Sequence, residues 1–277
     1  MNGVVLSGSS SGIGLATAQL LARNGMIVFA GVRNQRDADR LAHEHENVRP
    51  IMLDVSDAES IDRAAGEVRA SGVALCGIVA NAGIAIGGPL EHLPIAELRR
   101  QFEVNVFGLL ALTQAFVGQL APRTGRVVFV GSISGRLSTP YIGPYSASKF
   151  AVRALADALR IELAPCGISV SLIEPGSVKT PIWQKGRAAR DVMLARLGPD
   201  SRSHYRGALE RIFAITEAEE RGGLPVEVVA RAILHALASR KPRASYVLGT
   251  PARLGTFLAM LPPVWRDRAL RASMRLP

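Results

Sequence analysis

Three residues in the middle of the chain have the types and spacing to move a proton to or from a carbonyl or alcohol oxygen: Ser132, Tyr145 and Lys149. Tyr145 and Lys149 lie four apart in a helical pattern, so phenol and ammonium share one helix face. A free phenol has a pKa of about 10, and a fixed positive charge nearby favours phenolate and lowers that value. Ser132 follows the run Val127-Val128-Phe129-Val130 and Gly131, the pattern of a buried parallel strand ending in a turn. Open α/β sheets place ligands at such strand ends, so the Ser132 hydroxyl can hold a substrate oxygen while Tyr145 exchanges the proton. The same Tyr-x-x-x-Lys spacing also occurs in helices that do no chemistry, with the tyrosine starting the helix, the lysine solvated and the serine in a turn. The remainder of the chain decides between the two.

Such side chains need a rigid frame, and the sequence alternates strand and helix patterns along its length. Val4 to Leu6 is a short strand that runs into Ser7-Gly8-Ser9-Ser10-Ser11-Gly12-Ile13-Gly14, after which Leu15 to Asn24 has helical spacing. In a strand–turn–helix context, glycines let the backbone approach a pyrophosphate, whose charge then meets the helix N-terminus. A second strand, Met26 to Val32, ends beside Arg33. A carboxylate at that strand end would bind the ribose 2′-hydroxyl of NAD. Val32 in its place, with the Arg33 guanidinium next to it, favours the 2′-phosphate of NADP.

The pattern then predicts a helix over 37–46, a strand over 48–54 and a helix to Ala70 opened by a Ser56/Glu59 capping box. A strand over 75–80 leads into Asn81-Ala82-Gly83, and a long helix from Pro94 to Leu120 carries Asn105. A sixth strand over 168–173 stops at Pro175-Gly176, a helix runs from Pro225 to Ser239, and Ser245 to Leu248 makes a seventh strand. This alternation predicts an α/β fold: a single doubly wound Rossmann domain over 1–250 with a seven-stranded parallel sheet, and a C-terminal amphipathic extension over 251–277.

Composition narrows the function classes. A chain of 277 residues that is 48% hydrophobic can bury a full core. The formal charge of +10 comes mostly from arginine, without a nucleic-acid motif or aromatic–basic interleaving. A solvated surface with some attraction for anionic cofactors or lipids is the expectation, and nucleic acid is not. Cys76 and Cys166 sit in apolar contexts without metal-ligand spacing and read as core residues in a reducing compartment. Val4 opens a strand with no secretory leader before it, and no apolar run approaches the ~18 residues of a spanning helix, so the expected location is cytoplasmic. No metal is expected.

With these motifs in this order, the chain resembles the short-chain dehydrogenase/reductase family over about residues 3 to 180. The resemblance rests on Gly8, Gly12 and Gly14, on Asn81-Ala82-Gly83, on Asn105, on Ser132 ahead of Tyr145 and Lys149, and on Pro175-Gly176 with Thr180. It implies an NAD(P)-dependent oxidoreductase with Tyr145 as general acid in reduction and base in oxidation. Lys149 would hold the nicotinamide ribose and lower the Tyr145 pKa. Ser132 would position the substrate oxygen, and Asn105 would support a water-linked proton path from Lys149. The implied dinucleotide site comprises Gly8, Ser10, Ser11, Gly12, Ile13, Gly14, Arg33, Asp54, Val55, Asn81, Ala82, Gly83, Pro175, Gly176, Val178 and Thr180, with Tyr145 and Lys149. Asp54 would meet the adenine. Ser11 stands where some NADP-binding members carry a basic residue, so NADP over NAD rests on Arg33.

The residues near this site are apolar (Ile84, Ile86, Leu90, Tyr141, Ile142, Trp183 and Phe213) and suit a lipophilic alcohol or ketone, although about half are expected to be ordinary core or lid residues. Tyr141 and Trp183, with Ser132 and Tyr145, are the expected substrate contacts. Residues 181–225 are polar, arginine-rich and irregular, as a substrate lid would be. The resemblance extends to members acting on steroids, retinoids and other lipid alcohols. It also implies homodimers or homotetramers built through the helices containing Asn105 and Tyr145. The C-terminal extension is expected to pack on a neighbouring subunit or the domain's own flank rather than in a membrane interface. Two other readings exist. A catalytically silent dinucleotide-binding regulator is opposed by the intact Ser132, Asn105, Tyr145 and Lys149. An epimerase or dehydratase of the longer relatives is opposed by the glycine spacing and the length.

Overall fold

The apolar runs pair into one parallel sheet: β1 (Gly3–Leu6), β2 (Ile27–Val32), β3 (Val48–Met52), β4 (Leu75–Ala80), β5 (Arg126–Val130), β6 (Ser169–Pro175) and β7 (Ser245–Leu248), in the order β3-β2-β1-β4-β5-β6-β7. This is a computed structural model, and it describes residues 2–180, 182 and 199–274. Every residue of β1 and β2 is buried, which is what a parallel sheet covered on both faces requires. The helices are α1 (Gly12–Arg23), α2 (Gln35–Ala42), α3 (Ala58–Ala70), α4 (Ile95–Phe102), α5 (Gly108–Val117), α6 (Gly143–Glu162), α7 (Pro199–Gly222), α8 (Val226–Ala238), α9 (Thr250–Ala259) and α10 (Pro263–Ser273). On one face of the sheet, Leu109, Leu112 and Phe116 of α5 and Val152 of α6 close over Ile78 and Phe129. On the other, Leu21 of α1 and Ile233 of α8 close over Val4 and Val128.

The chain moves from β1 outward to β2 and β3, then returns to the other side of β1 for β4 onward. The loops after β1 and β4 therefore diverge and open a crevice at the carboxyl ends of the strands. Ser7 ties the two loops: its hydroxyl accepts from the backbone N–H of Asn81 (3.0 Å) and Ala82 (3.0 Å). Asn81 Nδ2 returns bonds to the carbonyls of Ser7 (3.0 Å) and Gly8 (3.1 Å).

Four elements differ from the sequence expectations. Helix α3 is capped by Asp57, whose carboxylate accepts from Glu59 N–H (3.0 Å), because the Ser56 hydroxyl is drawn to Asp54 Oδ1 instead (2.6 Å). The helix expected from Pro94 to Leu120 is interrupted by a π-helical turn, Glu103–Phe107. Strand β6 continues through Pro175, which pairs with Leu248 of β7. The segment expected to be an irregular lid contains the 24-residue helix α7. A polar, arginine-rich helix shows no wide apolar stripe, so its periodicity is weak in the sequence.

Candidate active site

The crevice is a cleft of about 810 Å³. Gly8, Ser10, Ser11, Gly12, Ile13, Gly14, Arg33, Asp54, Val55, Asn81, Ala82, Gly83, Pro175, Gly176, Val178 and Thr180 all line it, as do Ser132, Tyr145 and Lys149. The chain thus folds its sequence-predicted dinucleotide residues around one space.

The glycine turn fits a pyrophosphate. Gly8 has φ +68°, and a Cβ there would sit 2.9 Å from Ala82 Cα. A methyl group on Gly14 would overlap the Gly8 carbonyl oxygen. Side chains are excluded here, so backbone lines the cleft. Ser11 precedes the twelve-residue α1 without a side-chain cap, which leaves the first-turn N–H groups facing the crevice for an anion. At the adenosine end Arg33 is exposed and lines the cleft. Sequence reasoning missed a second guanidinium behind the glycine turn: Arg40 of α2, outside the cleft lining, donates to the Ser10 carbonyl (2.5 Å) and lies 3.3 Å from Asp37. Asp54 lines the cleft, but its Oδ1 already accepts from Ser56 N–H (2.9 Å) and Oγ (2.6 Å).

Ser132 leaves β5 and caps a short turn, Ile133–Gly135, accepting from Ser134 N–H (3.1 Å). That turn presses on α6: a Cβ at Gly135 would lie 2.7 Å from the Lys149 carbonyl oxygen. The close approach brings the Ser132 hydroxyl into hydrogen bonding with the Tyr145 phenol. Tyr145 is 8% exposed and Lys149 4%. Burial pushes the Tyr145 pKa up to about 12, with the Ser132 hydrogen bond pulling weakly the other way. Burial also brings Lys149 down to about 8. The expected lowering of Tyr145 by Lys149 is not found in this arrangement. The ammonium sits 5.6 Å from the phenol ring centroid and donates to the Val130 carbonyl (2.9 Å).

A pH effect follows. In the folded chain the charged Lys149 is disfavoured, so its burial penalty is complete below about 8 and fades as pH approaches the ordinary 10.5. Stability from this group therefore rises with pH across that window. The melting-temperature advantage of Lys149→Met relative to the parent should shrink steadily between pH 7.5 and pH 10, values chosen to bracket about one titration. A gap that stays constant in paired thermal melts would contradict a depressed lysine.

Asn105 does not line the cleft but braces its floor. It sits in the π-helical turn, fully buried, accepting from Ile84 N–H (2.8 Å) and donating to Ile84 C=O (3.0 Å) and Ser148 Oγ (3.1 Å). Ser148 in turn donates to the Tyr145 carbonyl (2.7 Å), so Asn105 joins the Gly83–Ile86 loop to the Tyr145 helix. Gln101, four residues earlier and also 0% exposed, accepts from Ile86 N–H (2.7 Å) and donates to Ile84 C=O (2.6 Å). The sequence reading passed over Gln101. It also passed over Glu174, a fully buried carboxylate at the end of β6. Arg136 grips Glu174 through Nε (2.8 Å) and Nη2 (2.5 Å), Arg153 through Nη1 (2.8 Å), and Ser245 Oγ donates at 2.5 Å. Arg136 follows the Ser132 turn and Arg153 lies one helical turn beyond Lys149, so this network fixes the Ser132 turn and α6 to the sheet. A carboxylate directly after the apolar pair Leu172-Ile173 in a central strand was the available signal.

Part of the cleft lining is apolar. Ile84, Ile86 and Ile142 contribute to it as expected, joined by Leu137 and by Ile212 and Ile215 of α7. Tyr141 is not among the lining residues, although Pro140 and Ile142 on either side of it are. Its backbone has φ +67°, and its ring packs edge-on against Tyr205 of α7, centroids 6.2 Å apart. Tyr205 also packs on His92 and donates to Glu91 (2.5 Å). Leu90 and Phe213 are likewise outside the lining. Trp183 lies outside the described residues.

Residues 2–191 match the short chain dehydrogenase family. The NADPH-dependent 3-dehydrocapnine reductase of Ornithobacterium rhinotracheale is 37% identical over 256 residues, 90% of this chain and 88% of that protein. Human retinol dehydrogenase 5 is 32% identical over 260 residues, 91% of this chain and 81% of that protein. A short chain dehydrogenase/reductase from Burkholderia phymatum, solved in complex with NAD, superposes with a TM-score of 0.78 at 25% identity, over 100% of this chain and 95% of that one.

Proposed function

We infer the function from one premise: the chain belongs to the short-chain dehydrogenase family and is an NAD(P)-dependent oxidoreductase. We propose that it interconverts a lipophilic ketone and its alcohol, with Tyr145 as the proton donor and acceptor. The observation that carries this reading is the hydrogen-bonded Ser132–Tyr145 pair in the same cleft as the glycine turn. When bound, the nicotinamide supplies or accepts the hydride. Ser132 holds the substrate oxygen by hydrogen bonding, and Tyr145 gives its proton to that oxygen in reduction and recovers it in oxidation. Charge builds on the oxygen as the reaction proceeds, so both hydrogen bonds strengthen in the transition state. A phenol buried among apolar groups stays protonated at neutral pH, the form that reduction needs. Lys149 and Asn105 serve the ribose and the proton path. The isoleucines of the lining exclude water and favour an apolar substrate. Retinol, the substrate in the name of one relative, has this character.

For the cofactor, we propose NADP over NAD, with Arg33 gripping the 2′-phosphate and Arg40 adding a second charge beside Ser10. The test is oxidation of NADPH and NADH against a panel of apolar ketones. Arg33→Ala should raise the KM for NADPH by about tenfold while leaving NADH nearly unaffected, the loss expected for one charge-assisted contact. Equal effects on both dinucleotides would remove Arg33 from this role.

We further propose assembly as a homodimer or homotetramer through the helical segments that contain Asn105 (the π-helical turn and α5) and Tyr145 (α6). Phe107, Phe150 and Ile161, exposed by 56%, 43% and 73%, support that reading. Analytical ultracentrifugation should find a dimer or larger species that Ile161→Asp weakens; a monomer at micromolar concentration would contradict it.

A further inference from the structure

We propose that the hairpin of α9 and α10 is a docking surface for membranes that contain anionic phospholipid. Leu254, Phe257, Met260, Leu261, Val264 and Trp265 are exposed by 63%, 71%, 78%, 41%, 60% and 67%. Leu254 and Phe257 share a face of α9, and Met260 to Trp265 form an unbroken apolar tip across the turn at Pro262 and Pro263. This face points outward because the other is anchored. Ala252 is fully buried, Leu270 is 7% exposed, and a Cβ on Gly255 would lie 3.0 Å from Ile133.

Charge selects the occupant. Residues 251–277 carry five arginines (Arg253, Arg266, Arg268, Arg271 and Arg275) and one carboxylate side chain, Asp267. Exposed apolar side chains in a segment this rich in arginine, with a tryptophan beside the turn, match the boundary between acyl chains and anionic headgroups. A second copy would set one arginine-rich segment against another, and like charges repel. No described helix is long and apolar enough to cross a membrane, so the hairpin would lie in the interface. The inward face of the same hairpin, through Ala252, Gly255 and Met274, lines the cleft. Docking would therefore hold the cleft beside the bilayer. The docking rests on the surface alone; its use in delivering substrate rests on the lipophilic-substrate reading above.

The test is co-sedimentation of the full chain with phosphatidylcholine vesicles, with and without phosphatidylglycerol. The chain should pellet with the anionic vesicles and be released by salt. The Phe257→Ser/Trp265→Ser and Arg253→Glu/Arg268→Glu double variants should each partition about tenfold less. Both should keep the parent's melting temperature and its NADPH oxidation with a water-soluble ketone, which separates failure of docking from failure of the catalytic reading. As a readout without folding risk, the parent's tryptophan emission should shift to the blue on anionic vesicles, and Trp265→Phe should lose that shift. No binding by the parent, or equal binding by parent and variants, overturns the proposal. So does a parent that ignores vesicles but forms an oligomer that Phe257→Ser/Trp265→Ser dissociates, which would make a second copy the occupant.

Discussion

Tyr145→Phe is expected to lower turnover by about 10²–10⁴, the range for losing a positioned general acid, while dinucleotide affinity stays within about twofold of the parent. The substitution removes one oxygen from a side chain whose ring is held by burial and by its place in the first turn of α6. The helix and the glycine turn have no reason to move. What is lost is the proton, and with it half of the charge stabilisation offered to the substrate oxygen, since Ser132 remains. Stopped-flow turnover with reduced dinucleotide and an apolar ketone, set beside fluorescence titration of the dinucleotide, separates the two effects. Unchanged turnover would mean that another group supplies the proton. A parallel loss of dinucleotide affinity would mean that Tyr145 is structural.

The second large effect falls on stability. Glu174→Gln is expected to cost about 3 kcal/mol, because removing one charge from a buried, hydrogen-bonded ion network leaves its partners uncompensated. Glu174 is 0% exposed, and Arg136 and Arg153 retain only 19% and 32%. The glutamine amide has one oxygen where the carboxylate has two, and it cannot accept from both guanidiniums and from Ser245. The Glu174 hydrogen bond, aided by the Glu174 and Asp157 charges, holds the Arg136 pKa above its ordinary value against the opposing pull of burial, so this guanidinium stays charged and feels the loss. Urea unfolding should show the midpoint fall with an unchanged slope. Because the network joins the Ser132 turn, α6 and the sheet, turnover should fall more than dinucleotide affinity. A midpoint within error of the parent would show that the network is neutral to folding.

Much of the frame was legible in the sequence for physical reasons. A strand buried on both faces must be a continuous apolar run, so β1, β4 and β5 announced themselves. A glycine turn between a strand and a helix is a short local signal, and Gly8, Gly12 and Gly14 line the cleft. Ser132, Tyr145 and Lys149 line one cleft; the last two were paired in the sequence because four residues along a helix is a short, rigid distance.

What stayed hidden depends on events the local pattern does not record. The π-helical turn leaves the apolar rhythm of 94–120 unbroken, so Gln101 read as an ordinary helix residue, and Asn105, singled out for a proton path, gave no sign that its side chain braces the Ile84 loop. Arg40 reaches Ser10 across thirty positions of sequence. Tyr141 has a left-handed backbone and packs its ring on Tyr205 of α7, and nothing but the folded loop sets that angle. The sign of the Tyr145 shift was misjudged because burial, invisible in sequence, outweighs an ammonium that is engaged by Val130.

The central claim is that this cleft passes a hydride between nicotinamide and a carbonyl carbon while Tyr145 handles the proton. It is tested most directly by giving the protein NADPH deuterated at nicotinamide C4 and an apolar ketone, then locating the label by mass spectrometry. The account predicts one deuterium on the carbinol carbon of the product, delivered from a single face of the nicotinamide. An alcohol formed without the label, or reduced dinucleotide left unconsumed across a broad panel of apolar ketones, would contradict it.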